Sequence, residues 1–358
     1  MTDPAPPRVR TRARGTEANP ETRFDAHVRE SVDDGWMPDE PRLARTEVRD
    51  EDVKAIIARN TSPDIGFDRS INPYRGCEHG CIYCFARPSH GYLGLSPGLD
   101  FETKLIARPG APAALEKQLR AKSYHCDVIA MGTNTDPYQP IERERRIMRG
   151  VLEVLQRFRH PLTIATKGAM IERDVDILAE MSRARLARVG ISVTTLDAGL
   201  ARTMEPRVPS PARRLKAIET LAKAGVEVRV MVAPVVPGLT DHEIDAILTS
   251  ARDAGAVAAS WVMLRLPYEV SGLFEDWLER NAPGKKAKVL ARLREMHGGE
   301  LYSADWGHRM RGEGLYAELT GKRFDLAARR LGLDATLPPL RRDLFAVPLG
   351  DDRQPSLF

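Results

Sequence analysis

The sequence predicts an α/β fold built on a parallel sheet with helical crossovers, and three observations predict it. From Ile71 onward, short runs rich in Val, Ile and Thr alternate with longer segments of helical periodicity. Six such strand–helix units follow one another, with no internal repeat longer than one unit. A chain of 358 residues, 42% hydrophobic, is long enough for one barrel-sized domain plus extensions.

The units read in order as follows. Strand one runs from Ser70 to Tyr74 and delivers a cysteine-rich loop. A helix from Ala111 to Lys122 leads into strand two, Cys126 to Met131. The polar turn Gly132-Thr133-Asn134-Thr135-Asp136-Pro137-Tyr138 then opens a helix with one apolar face, Ile147, Val151, Val154 and Leu155. Strand three is Leu162 to Thr166, followed by Lys167 and Gly168. Strand four is Val189 to Thr194, and a helix carrying Leu215, Ile218, Leu221 and Ala222 follows the loop Met204 to Pro211. Strand five is Val226 to Val232, and strand six is Ala258 to Leu264.

Both ends leave this rhythm. Residues 1–60 are rich in Pro, Arg and Asp and are expected to be a partly disordered extension; Trp36 suggests that its later part docks on the body. Arg8, Arg10, Arg12 and Arg14 alternate there, as a solvated tail or as phosphate contacts. Residues 61–270 form the predicted core domain. Residues 271–350 are expected to be a helical cover, with Phe274, Trp277, Leu278, Val289, Leu290 and Leu293 on two helices, and residues 351–358 a flexible tail.

A net charge of +4, with both signs interleaved, does not by itself announce a nucleic-acid binder. No apolar run approaches bilayer length, and the N-terminus lacks the hydrophobic centre of a secretion signal. A cytoplasmic protein with reduced thiols, away from any membrane, is expected.

Three of the four cysteines fall in one stretch, Cys77-Glu78-His79-Gly80-Cys81-Ile82-Tyr83-Cys84. Thiolates this close suit a soft metal or an iron–sulfur cluster rather than disulfides. Spacings of three and two intervening residues let one loop hold three corners of a cubane. The fourth cysteine, Cys126, lies in another element, so one iron stays open. Gly76 and Gly80 fit unusual backbone angles, and Tyr83 sets a ring beside the site. A zinc site completed by His79 or His90, and a group of inert thiols, are the alternatives.

Three cysteines with an aromatic before the third resemble the signature of the radical S-adenosylmethionine (radical SAM) superfamily. The resemblance implies an open six-stranded partial TIM barrel. It also implies a [4Fe–4S] cluster on Cys77, Cys81 and Cys84, with SAM chelated by the open iron. An electron from a flavodoxin- or ferredoxin-type reductant then cleaves SAM to methionine and a 5′-deoxyadenosyl radical, which takes hydrogen from substrate. In such barrels functional groups sit after the strand C-termini. That rule assigns Lys167 to the SAM carboxylate, Ser192 and Thr194 to ribose hydroxyls, and Thr133, Asn134 and Thr135 to the amino group or ribose. Tyr83 joins them at the cofactor, and Pro237-Gly238 suits close approach to adenine. Each of these also reads as an ordinary polar or turn residue.

Asn72-Pro73-Tyr74-Arg75-Gly76-Cys77, Cys81-Ile82-Tyr83-Cys84-Phe85 and the Thr-Asp turn of strand two resemble the spore photoproduct lyase-like, or DNA repair photolyase-like, branch over roughly Ser70 to Pro267. This implies action on nucleic acid, DNA foremost, in repair or modification; a peptide or small-molecule substrate, or a structural zinc protein, are the other readings. The lyase returns hydrogen through a cysteine after strand two, where Thr133 stands here. Cys126, seven residues earlier, lies on the order of 23 Å away on the opposite rim at ~3.3 Å per residue. Tyr138 and Asp136 are the candidates for catalysis, with Tyr83 or Tyr92 as further relays. Finally, Gln354-Pro355-Ser356-Leu357-Phe358 resembles the peptide by which bacterial repair proteins dock on the DNA polymerase sliding clamp, with Gln354 fixing register and Leu357 and Phe358 filling an apolar pocket.

Overall fold

The computed structural model describes residues 13–25 and 44–349. Six strands form its main wall: β1 (Arg69–Ile71), β2 (Ile129–Met131), β3 (Leu162–Thr166), β4 (Ala187–Ser192), β5 (Val228–Val235) and β6 (Ala258–Met263). They stand in chain order with every neighbouring pair parallel. Ile71 lies opposite Met131, Met131 opposite Ile164, Ile164 opposite Val189, Ile191 opposite Val230, and Val232 opposite Trp261. Ile57–Arg59 runs antiparallel along the outer edge of β1. Among the described residues β1 and β6 do not pair, so the wall is an open, partial barrel.

Parallel neighbours require crossovers, and helices supply them. They are α1 (Ala111–Leu119), α2 (Ile147–Arg157), α3 (Val175–Arg183), α4 (Pro211–Lys223) and α5 (Ile244–Asp253). Ile147, Val151, Val154 and Leu155 of α2 are all buried, as the periodicity requires. Ser210 caps α4 by accepting from the Arg213 N–H at 3.3 Å, and Pro211 occupies the first turn, where no N–H is needed.

The first two strands are shorter than the sequence suggests. Pro73 has no N–H to extend β1, so the chain turns, and Tyr74–Arg75 pairs instead with Lys104–Ala107, which also pairs with Glu47–Asp50. Strand two begins only at Ile129, because the Asp127 carboxylate accepts from the Val128 N–H at 2.7 Å and draws the backbone off the ladder. Cys126 therefore precedes β2, half-buried, at the end of the barrel away from the strand C-termini.

Part of the N-terminal extension is built into the body rather than solvated. Arg14 donates to the carbonyls of Glu102 (2.9 Å) and Ala44 (3.1 Å) and to the Thr46 hydroxyl (2.9 Å). Arg8, Arg10, Arg12 and Trp36 lie outside the described residues. Beyond β6 come α6 (Glu269–Asn281), α7 (Pro283–Met296) and α8 (Gly314–Arg330). They carry the apolar residues expected of them, and chain beyond β6 covers its free edge: Ala259 N–H donates to Leu333 O and Met263 N–H to Met310 O, both at 2.9 Å. The chain then runs across the far end of the barrel, where Ala346 N–H bonds Phe158 O and Phe345 packs on Phe158 and Tyr124. Gln354, Leu357 and Phe358 lie outside the described residues.

Candidate active site

The cysteine loop sits over the C-terminal mouth of the strands. Cys77 and Cys81 are buried and Cys84 is partly exposed. Both loop glycines have positive φ, +75° at Gly76 and +66° at Gly80. A Cβ at Gly76 would stand 2.9 Å from Phe101 O, and one at Gly80 2.6 Å from a Glu102 carboxylate oxygen.

Arg87, fully buried, binds the loop from behind with all five of its N–H donors. They go to the carbonyls of Cys81 (3.0 Å), Gly80 (3.2 Å), Pro97 (3.1 Å) and Gly98 (3.0 Å), and to the Glu102 carboxylate at 2.6 Å. Glu102, equally buried, also accepts from the backbone N–H groups of Gly15 (2.9 Å) and Thr16 (3.2 Å). The N-terminal strap, the loop and the chain after it thus share one ion pair.

Tyr83 is held by a second buried pair. Its hydroxyl donates to Glu205, which also accepts from Thr194 (2.7 Å) and from Arg214 (2.6 Å). Burial alone would raise the Glu205 carboxyl, but the Arg214 guanidinium, with Lys167, keeps it below its usual range. Burial, reinforced by Glu205, pushes the Tyr83 phenol well up, so it remains a donor. Ile82 N–H to Met204 O (3.0 Å) clamps the loop on the same side.

Asp136 is a bracket between loops. Its carboxylate accepts from Thr166 (2.6 Å), Tyr138 N–H (2.9 Å) and Lys167 N–H (2.7 Å), and lies 3.4 Å from the His79 ring. Burial works against its charge, but the His79 ring and these donors bring its pKa to about 2. It is ionised and its oxygens are engaged, so among the described residues the expected catalytic candidate ties the turn after β2 to the end of β3 and to the cysteine loop. Tyr138, fully buried, spends its hydroxyl on Asp174 at 3.2 Å beside Arg173, and so is packed rather than aimed at substrate.

The predicted cofactor residues divide. The Lys167 ammonium makes no hydrogen bond or ion pair among the described residues and lies 5.8 Å from the centroid of the Tyr83 ring. Ser192 gives its carbonyl to Arg214, leaving its hydroxyl unbonded among the described residues. Thr133 and Asn134 stand at the mouth against Asn72, at 3.4 Å and 3.2 Å. Thr194 is consumed by Glu205 and Ala233 O, and the Thr135 hydroxyl is tied to Tyr74 O at 3.0 Å. Arg87, Glu102, Glu205 and Arg214 were not expected; no local pattern distinguishes them from surface charges.

The donor set fits a cluster. Three thiols share one turn, and burial pushes Cys77 and Cys81 up as free thiols, so the pocket favours thiolates only when a cation takes them. The histidines of the zinc alternative each hold a contact away from the thiols: His79 faces Asp136, and His90 Nε2 lies 2.9 Å from Lys104 O, with its Nδ1 unpartnered among the described residues. Among the described residues no three His, Cys, Asp or Glu side chains converge on a single ion.

An open parallel barrel thus carries, at its C-terminal mouth, three thiols on one loop and an ammonium unpaired among the described residues, a donor set suited to a cluster. The family model for the radical SAM superfamily matches residues 71–251, just over half of the chain, and the protein belongs to that superfamily. Its cofactors are therefore a [4Fe–4S] cluster and SAM. An uncharacterized protein of Mycobacterium tuberculosis is 35% identical over 280 residues, 74% of this chain and 81% of that protein. One of Methanocaldococcus jannaschii is 28% identical over 192 residues, 53% of this chain and 69% of its own length. Among solved structures, a variant of spore photoproduct lyase matches with a TM-score of 0.53 at 16% identity, covering 79% of this chain and 78% of that one. Another, with bound AdoMet and dinucleoside spore photoproduct, matches with a TM-score of 0.53 at 14% identity over the same shares. At these identities the likeness is one of fold.

Proposed function

We propose that this radical SAM enzyme acts on nucleic acid, DNA foremost, in repair or base modification. The observation that carries the reading is a second unpaired cation at the mouth. Arg265, just after β6, forms no ion pair among the described residues, and its guanidinium lies 4.1 Å from the ring of Phe85, beside Cys84. Lys167 serves the SAM carboxylate, which leaves Arg265 for a phosphate. The fold likeness to a lyase holding a dinucleoside photoproduct supports the same substrate class.

Cys77, Cys81 and Cys84 would hold the cluster, Ser192 would meet the ribose, and Thr133 and Asn134 would hold the amino group or ribose of SAM. When bound, cluster and SAM supply a 5′-deoxyadenosyl radical. The protein's part is to fix the loop through Arg87 and Glu102, to orient Tyr83 through Glu205, and to exclude water. Hydrogen return by a protein thiol at the mouth has no donor. The chain has four cysteines, three of them the cluster ligands, and Cys126 lies at the opposite end. A hydroxyl at Thr133 is a poor hydrogen-atom donor, so the reaction differs from thiol-assisted dimer reversal.

The test is deuterium transfer into 5′-deoxyadenosine from sugar- or base-deuterated DNA, in anaerobically reconstituted protein. Label from DNA is expected; label only from a peptide or small metabolite would overturn the reading. A flavodoxin- or ferredoxin-type protein supplies the electron. Recruitment to the DNA polymerase sliding clamp runs through Gln354, Leu357 and Phe358, and deleting Leu357 and Phe358 is expected to abolish clamp binding in a pull-down with purified components.

A further inference from the structure

We infer that the barrel mouth carries a stacking platform for unpaired nucleic-acid bases, formed by Phe24, Phe85, Tyr92 and Tyr268 with Arg23 and Arg265. The inference rests on the nucleic-acid reading above and names the form of substrate that the site accepts. Single exposed apolar residues need no explanation, but grouped ones do. Among the described residues these four rings are 45–73% exposed; Phe24, Tyr92 and Tyr268 gather around the Arg23 guanidinium, and Phe85 lies under that of Arg265, in the same loop as Tyr268.

Three segments of the chain bring the strip together. The Phe24 ring of the N-terminal strap lies 5.0 Å from that of Tyr92, on the helical turn that follows the cysteine loop. The Arg23 guanidinium lies 4.6 Å from the Phe24 ring, 5.8 Å from Tyr92 and 3.8 Å from Tyr268, which belongs to the loop after β6. Arg265 begins that loop and covers Phe85, the residue after the cluster ligand Cys84. The strip therefore borders the place where chemistry starts. Among the described residues the Glu269 carboxylate lies at the strip: it accepts from the Arg23 backbone N–H at 3.2 Å and stands 3.9 Å from the Arg23 guanidinium, a loose ion pair that fixes the strap and leaves Arg265 as the strip's cation without an ion pair.

Tyr268 adds a second sign of purpose. Its backbone has φ +52°, a region an aromatic residue enters at a cost, yet its ring stays 62% exposed and packs on the Arg23 guanidinium instead of entering the core. Flat rings alternating with delocalised cations match planar bases and the phosphates between them. Base faces are free only when bases are unpaired or turned out of the stack; an intact duplex presents edges and phosphates. The platform should thus prefer single strands, or lesions that open a duplex, over paired DNA of equal length.

The test uses the full-length, cluster-reconstituted protein and fluorescence anisotropy with labelled oligothymidylate, a duplex of equal length and the matching oligouridylate. Wild type is expected to bind oligothymidylate more tightly than duplex. Tyr92→Ala and Tyr268→Gly, the latter also relieving the positive φ, are each expected to weaken that binding by about tenfold. Arg265→Gln should lower the salt slope by about one. Cluster absorbance and thermal unfolding report whether each variant folds. Wild-type affinity in the folded ring variants, or equal affinity for duplex and single strand, overturns the platform while the nucleic-acid reading stands. Wild type that binds no oligonucleotide overturns both. If the variants slow reduction of the cluster by flavodoxin and keep their oligonucleotide affinity, the strip belongs to an acidic reductant and the inference falls. Tighter oligouridylate binding would move the same platform from DNA to RNA.

Discussion

Replacing Arg87 with methionine keeps the volume of the side chain and removes its five donors. Glu102, fully buried, then retains only the N–H groups of Gly15 and Thr16, and the carbonyls of Gly80, Cys81, Pro97 and Gly98 lose a partner at the back of the cluster loop. Breaking a buried pair by removing one member costs about 3–5 kcal/mol. If that cost falls on the loop, its open population rises by roughly 10²-fold to several thousand-fold. The assay is amide hydrogen exchange over residues 77–102, with iron retention against a chelator. Faster exchange there and early loss of iron are expected. Glu102→Gln in the same background removes the stranded charge and should recover at least about 1 kcal/mol, a coupling that a double-mutant cycle reads directly. Exchange within about threefold of wild type in Arg87→Met, with iron fully retained, would refute the buttress.

Lys167→Met should weaken SAM binding in equilibrium dialysis by roughly 10- to 100-fold, the worth of one charge-assisted hydrogen bond, with the cluster absorption unchanged. Gly15→Ala places a Cβ 1.9 Å from Gly80 O, so the strap must move; faster limited proteolysis within residues 13–25 is expected. His160 is a pH lever, because burial lowers its pKa to about 4 while Tyr124 O–H (2.7 Å) and Pro161 O (2.9 Å) hold the ring. With the folded value below the unfolded one, near 6.5, the unfolded chain takes up the proton first as pH falls. Stability contributed by the neutral ring is complete above about pH 6.5 and is lost down to about pH 4, by at most about 3 kcal/mol. His160→Gln should flatten that part of a melting-temperature profile against pH.

Local chemistry made much of this protein legible in its sequence. Strand and helix periods act over a few residues, and so do the three- and two-residue gaps that put Cys77, Cys81 and Cys84 on one turn. The position of Lys167 just after β3 was equally readable, because a strand end fixes which rim a residue joins. What Asp136 and Tyr138 bond to was not readable, for the opposite reason. Their turn was recognised, but their partners, His79 and Asp174, come from other segments.

The sequence by itself determined the order of the barrel's strands and helices and the grouping of Cys77, Cys81 and Cys84 on one loop, since both follow from short-range spacing, and the resemblance of that loop to the radical SAM signature supplied the family. Only the tertiary structure decided what grips the loop. The Glu102 carboxylate meets the Gly15 N–H across 87 residues of chain, and the Tyr83 hydroxyl meets Glu205 across 122. A charged residue whose partner is that distant looks like any solvated charge in sequence. Burial, which makes its pairing obligatory, exists only once the chain has folded.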